Sequence, residues 1–203
     1  TMRKFNNHYL IMRHGESEAN VAGLIVSDPA IGCKNFGLTD SGRRQVAASI
    51  SDYQLQSSSA MQIPGRSISK VICSDFLRTT ETANLSTQIL ILPAPQIEPG
   101  LRERFFGDWE GKSDIHYPEI WALDNDLQTQ AAQRIESVDE VRQRGLAVIE
   151  KLDVQFSEEV ILLVSHGDML QILLTAFADI PAQQHRTLSH HAQAEIKLLV
   201  ASG

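Results

Sequence analysis

Val160-Ile161-Leu162-Leu163-Val164-Ser165-His166-Gly167 is the stretch on which the fold turns. Its apolar residues follow one another without a polar break. A strand with one wet face alternates, whereas one buried on both faces is apolar throughout. The run therefore reads as a central strand of a sheet covered on both sides. Residues 8–12, 70–73 and 195–200 read as companion strands, and longer amphipathic segments lie between them. Helices are predicted over 40–54, 76–90, 137–155 and 168–178. The third has the clearest signal: Ser137 and Glu140 form a capping box, and Val138, Val141, Val148, Leu152 and Phe156 return at helical spacing. Alternation of this kind predicts an α/β fold.

The remaining segments are connections. Residues 56–69 are rich in serine, with Pro64-Gly65, and read as a surface loop. Residues 92–100 carry three prolines and cannot be continuous helix. The pattern weakens at about 107–134, where one or two helices are expected outside the main sheet. With 203 residues and no internal repeat, a single domain over 1–203 is the simplest organisation.

Composition narrows the function. Hydrophobic residues make up 42% and charged residues 21%, as in a folded soluble chain. A formal net charge of −7, with no basic run, argues against a nucleic-acid partner. It leaves an anionic substrate open, because a few converging arginines can make one cleft positive. Cys33 and Cys73 alone form neither a disulfide framework nor a metal cluster, and read as thiols in a reducing compartment. The first apolar run, Tyr9-Leu10-Ile11-Met12, stops at Arg13, too early for a signal peptide, and no later run could span a bilayer. The expectation is a cytoplasmic protein with no membrane partner.

Three strands are each followed at once by polar residues: Arg13-His14-Gly15 after the first, Ser74-Asp75-Phe76-Leu77-Arg78 after the second, Ser165-His166-Gly167 after the central one. Ligands of open α/β sheets bind at the carboxyl ends of strands. If these strands are parallel neighbours, His14, Arg78 and His166 converge on one crevice with Arg13. Phosphoryl transfer needs that composition, since charge develops on three oxygens and arginine is shaped to receive it. His14 can attack through one ring nitrogen while a backbone carbonyl holds the other. Gly15 and Gly167 are expected to remove bulk beside the imidazoles and to allow unusual backbone conformations. Glu103, in Leu101-Arg102-Glu103-Arg104-Phe105-Phe106-Gly107, offers a proton for the leaving group, with Phe105 and Phe106 available to exclude water. His190 and His191 lack partners at metal-ligand spacing and read as structural.

At these residues the chain resembles the histidine phosphatase superfamily, the phosphoglycerate-mutase-like proteins. Arg13-His14-Gly15-Glu16-Ser17-Glu18-Ala19-Asn20 is similar to the family's Arg-His-Gly signature with its downstream phosphate-contacting Asn. Leu38-Thr39-Asp40-Ser41-Gly42 is similar to the opening of its first helix. Ser74 to Ala83, Leu101 to Gly111 and Ser165-His166-Gly167 are similar to the segments bearing the second arginine, the acid and the second histidine. The resemblance implies a three-layer α/β/α sandwich with a mostly parallel central sheet. It implies a phosphohistidine on His14, a phosphate pocket of Arg13, Arg78, His166 and Gly167 with Asn20 nearby, and Glu103 as proton donor. It implies no metal and no cofactor. Asp168, where many relatives carry a small residue, is a rival donor. The chain is shorter than the classical mutases, which favours hydrolysis of a small phosphorylated metabolite over a phosphoglycerate mutase; an inactive phospho-ligand-binding member is the remaining alternative. Specificity is expected from 23–36 and 107–127, with Phe36, Phe105, Phe106, Tyr117 and Trp121 as candidate walls. Oligomeric state leaves no mark in the sequence.

Overall fold

The computed structural model describes residues 4–56 and 67–200; the loop predicted at 56–69 lies largely outside them. Five strands form the sheet: β1 (His8–Arg13), β2 (Lys70–Cys73), β3 (Gln96–Ile97), β4 (Val160–Ser165) and β5 (Ile196–Val200). Their order is β3-β2-β4-β1-β5. The first four are parallel, and β5 runs antiparallel to β1 on the far edge. The apolar run Val160–Val164 is the central strand, with every residue of β4 buried.

Among the described residues eight α-helices accompany the sheet: α1 (Glu18–Ala22), α2 (Pro29–Gly32), α3 (Asp40–Leu55), α4 (Leu77–Leu90), α5 (Tyr117–Trp121), α6 (Leu127–Ala132), α7 (Val138–Gln155) and α8 (Gly167–Phe177). Alternate strand residues face opposite ways, so each strand feeds two cores. Tyr9, Ile11, Ile161 and Leu163 pack against Val141, Val148 and Leu152 of α7 and Met169 to Leu173 of α8. Leu10, Met12, Leu162 and Val164 pack on the other side against Val46 and Ile50 of α3 and Ala83 of α4. The result is a three-layer α/β/α sandwich. Removing a leucine-sized side chain from such a layer loses roughly 2–5 kcal/mol.

Local chemistry sets the helix starts. Thr39 caps α3 by accepting from Gly42 N at 3.0 Å. The capping box of α7 forms, with Ser137 and Glu140 satisfying each other's backbone N–H groups. Two expectations shift. β3 lies inside the proline-rich segment, a two-residue edge strand that periodicity cannot register. Residues 107–134 hold two short 3₁₀ turns besides α5 and α6, and a small third core of Ile25, Phe106, Ile120 and Ile135 anchors them. No helix among the described residues is long and apolar enough to cross a membrane.

Candidate active site

The register of the three central strands assembles the cleft. Arg13 pairs with Ser165 across β1 and β4, and Cys73 pairs with Val164 across β2 and β4. Ladder bonds then run one residue further, from His14 N to Ser165 O at 3.0 Å and from Ser74 N to Val164 O at 3.1 Å. His14, Ser74 and His166 therefore leave the sheet side by side. The His14 and His166 rings meet edge to face, 5.4 Å between centroids.

His14 is buried, and its Nδ1 lies 2.7 Å from Gly15 O. A carbonyl only accepts, so Nδ1 carries the proton and Nε2 keeps its lone pair. Burial first, then the nearby Arg78 and Arg13 guanidiniums, hold the imidazolium pKa well below the usual histidine range. Gly15 serves a different purpose from the one expected. Its backbone is not left-handed; a Cβ there would stand 2.6 Å from Gly42 O and 2.9 Å from Val46 Cγ2, so the glycine lets the 13–16 loop seat against α3. Gly167 likewise has an ordinary backbone, and a Cβ would sit 3.4 Å from Arg13 Nε.

Arg78, in the first turn of α4, is also buried. Its Nη2 donates to Val26 O at 2.9 Å and its Nε to His166 Nδ1 at 3.3 Å, while its buried Nη1 has no protein partner. Because an arginine nitrogen only donates, His166 Nδ1 accepts and the ring proton sits on Nε2, directed to Ser74 Oγ at 2.9 Å. His166 thus enters the site through Arg78 and not as a free donor. Arg13 donates through Nη1 to His191 O at 3.1 Å and to His190 Nε2 at 3.2 Å, and its Nε is buried without a partner. Two guanidiniums with unspent buried donors suit a planar or tetrahedral oxyanion. Asn20 spends its Oδ1 on Ser17 N and Oγ, which closes the α1 capping box, and it lines the same cleft.

Glu103 closes the opposite wall. Its Oε1 accepts from Arg104 N at 2.9 Å and from Met169 N at 3.0 Å, in the first turn of α8. Burial, followed by the charge of Asp168, raises its pKa above the usual carboxylate range, against the pull of Arg78 and the two backbone N–H groups. Asp168 is held differently. Both its oxygens accept from Trp121 Nε1, at 3.2 and 3.0 Å, and the fully buried Arg104 lies 3.9 Å away. Trp121 stacks on Tyr117 with 5.5 Å between centroids and carries the Arg186 guanidinium 3.5 Å from its ring centre.

The cleft, with walls that include Arg13, Asn20, Glu103 and Gly167, has a volume of about 350 Å³; the buried His14, Arg78 and His166 are not among its lining residues. Of the aromatic candidates, Tyr117 and Trp121 line it; Phe36, Phe105 and Phe106 do not. Phe106 belongs to the third core and Phe105 to a separate groove. Three residues that the sequence did not single out for the mouth, Arg186, His190 and Gln193, complete it. His190 thus reaches the site that sequence spacing had denied it, and only the burial of Arg13 against the 190–191 backbone reveals why. His191 instead ties down its own loop, with Nε2 2.7 Å from Glu195 O. Among the described residues no three or more His, Cys, Asp or Glu side chains are grouped to hold a metal ion.

Comparison with known proteins gives a consistent result. The sequence profile of the histidine phosphatase superfamily, branch 1, matches residues 9–203. The chain is similar to the adenosylcobalamin/alpha-ribazole phosphatase of Escherichia coli (strain K12), 28% identical over 180 residues, which is 85% of this chain and 80% of that protein. It is 31% identical over 184 residues to 6-phosphofructo-2-kinase/fructose-2,6-bisphosphatase 4 of Rattus norvegicus, covering 86% of this chain and 33% of that longer protein. Among solved structures, a mycobacterial glucosyl-3-phosphoglycerate phosphatase shares the fold with a TM-score of 0.73 at 20% identity, over 93% of this chain and 90% of that one.

Proposed function

The chain belongs to the histidine phosphatase superfamily, branch 1, and on that premise we propose that it hydrolyses phosphate monoesters of small metabolites through a phosphohistidine on His14. The observation that carries the reading is the His14 imidazole, its Nδ1–H fixed on Gly15 O beside two guanidiniums with unspent donors. Nε2 attacks phosphorus and the ester P–O bond breaks. The departing alkoxide takes the proton of Glu103. Water then attacks phosphorus, giving a proton to Glu103 as the new P–O bond forms and the P–N bond breaks, and phosphate leaves with His14 restored. Arg13 and Arg78 balance the charge spread over the equatorial oxygens, so the step needs no metal. Asn20 and Gly167 border the same oxygens. His166 supports the same oxygens through Arg78, whose Nε donates to its Nδ1.

Hydrolysis is favoured over a mutase by the E. coli relative, a named phosphatase that this chain matches over most of its length. Incubation with 3-phosphoglycerate separates the two: free phosphate supports the hydrolase, isomer formation the mutase. His14→Ala is expected to abolish phosphate release from an aryl phosphate, and acid-labile label trapped on wild-type protein by acid quench is expected to be absent from the variant. Undiminished turnover by His14→Ala would overturn the reading, and no label on active wild type would remove the intermediate. A member that only binds ligands would show neither turnover nor label. The free thiols of Cys33 and Cys73 fit a reducing, cytoplasmic setting.

A further inference from the structure

Glu103 sits in a segment, residues 102–106, that has no regular secondary structure. Backbone carbonyls in such a segment need partners from elsewhere. Arg144, on α7, bonds two of them and one carbonyl just before the segment. Its Nη1 donates to Gly100 O and Arg102 O, both at 2.8 Å, and its Nη2 to Glu103 O at 3.0 Å. Glu136 holds the guanidinium in place, accepting from Nε at 2.7 Å and from Nη2 at 3.0 Å. The same carboxylate accepts from Phe105 N at 3.0 Å, and Glu136 N donates to Phe105 O at 2.8 Å. Ser165 Oγ, in β4, takes the one carbonyl skipped, Leu101 O, at 2.7 Å. These bonds pin the backbone on both sides of Glu103, so that its carboxyl meets Met169 N and the cleft.

We propose that the Arg144–Glu136 pair is a positioning device for the proton donor: it sets the backbone that aims Glu103 at the leaving group. The inference rests on the assignment of Glu103 as acid. Arg144 does not line the cleft and reaches it only through the backbone of Glu103. It lines a groove of about 660 Å³ that shares Glu103 with it. Its planar fork spans three carbonyls and a carboxylate at once, which the single ammonium of a lysine cannot do.

A positioning role differs from a general structural one in its dependence on the leaving group. A poor leaving group needs the proton, whereas dinitrophenolate departs without it. The test measures kcat/KM, which reports the first half-reaction, for glycerol 3-phosphate and 2,4-dinitrophenyl phosphate. Arg144→Met is expected to lose roughly 10- to 100-fold on the alkyl ester and less than about threefold on the aryl ester. Glu103→Gln should show the same split at least as strongly, and combining the two substitutions should lose no more on the alkyl ester than Glu103→Gln alone. If Glu103→Gln slows both esters equally, the acid assignment fails. If Glu103→Gln splits them but Arg144→Met does not, or if the losses multiply in the double variant, the positioning role fails. Should Arg144→Met not fold, Arg144→Lys carries the same comparison with the charge kept.

Discussion

In the proposed mechanism His14 attacks as the neutral imidazole while Glu103 gives up a proton to the leaving group, and in water those two protonation states barely overlap. An ordinary histidine becomes neutral above about pH 6.5, where an ordinary glutamic acid, near pH 4.3, has already lost its proton. Burial lowers the one pKa and raises the other, so both shifts open a window on the acid side of neutrality. A bell-shaped profile of kcat/KM is expected, its acid limb set by His14 and its alkaline limb by Glu103. Glu103→Gln should flatten the alkaline limb; a limb that survives that substitution belongs to another group. Asp168 contributes through its charge, because its oxygens are already committed to Trp121. Asp168→Asn keeps an acceptor for the indole and removes the charge that raises Glu103. The alkaline limb should therefore move to lower pH while the preference for good leaving groups stays as in wild type. If Asp168→Asn instead acquires the leaving-group dependence of Glu103→Gln, Asp168 is the donor.

At the scale of elements, a loop that touches a helix leaves no room for error. Gly42 lies in the first turn of α3, and a Cβ on it would stand 2.1 Å from Glu16 O. Backbone cannot yield as a side chain can, so Gly42→Ala is expected to destabilise the fold by about 1–3 kcal/mol and to disturb the 13–16 loop, measured as a lowered urea midpoint together with lost activity. Ser137→Ala, which only uncaps α7, should cost about 1 kcal/mol with little change in midpoint slope. The elements that the sequence pattern predicts, β1, β2, β4, β5, α3, α4, α7 and α8, are those whose side chains serve one repeated purpose, filling a layer. β3 has two residues and no period to read, and α1, α2, α5 and α6 have too few turns to show one. The same distinction divides the site. Arg13, His14, Arg78, Glu103 and His166 stand in local motifs and were legible. Arg144 donates to carbonyls far away in the chain, Glu136 accepts from Arg144 and from the distant Phe105 N, and Arg186 lies on Trp121; none of these relations alters the residue's own neighbours in sequence.

The whole molecule stores several histidines in their neutral form. Burial, with the neighbouring guanidiniums, holds His14 and His166 well below the usual range, and burial carries His191 down to about 4. Unfolding returns each to about 6.5. As pH falls through 6.5 the unfolded chain takes up protons that the folded one refuses, so stability is lost, by up to about 1.4 kcal/mol per pH unit for each histidine. Glu103 has the opposite sign, because its raised folded pKa favours the native state once pH drops below it, and it offsets one histidine in part. The urea midpoint is expected to fall between pH 7.5 and 5.5; a midpoint that stays level or rises would mean that these imidazoles are not held neutral.

Strand order carries a last consequence, for how the chain is made. Of the strands in this sheet β1 is the first to be synthesised, yet its two neighbours in the sheet, β4 and β5, are the last of the five. Through most of synthesis Tyr9-Leu10-Ile11-Met12 therefore has two open apolar edges, the kind of surface that chaperones hold and that aggregation exploits. The proposed nucleophile waits at the end of that unpaired strand. Only when β4 arrives and inserts between β1 and β2 does His166 come beside His14, so the proposed site and the centre of the sheet are completed together.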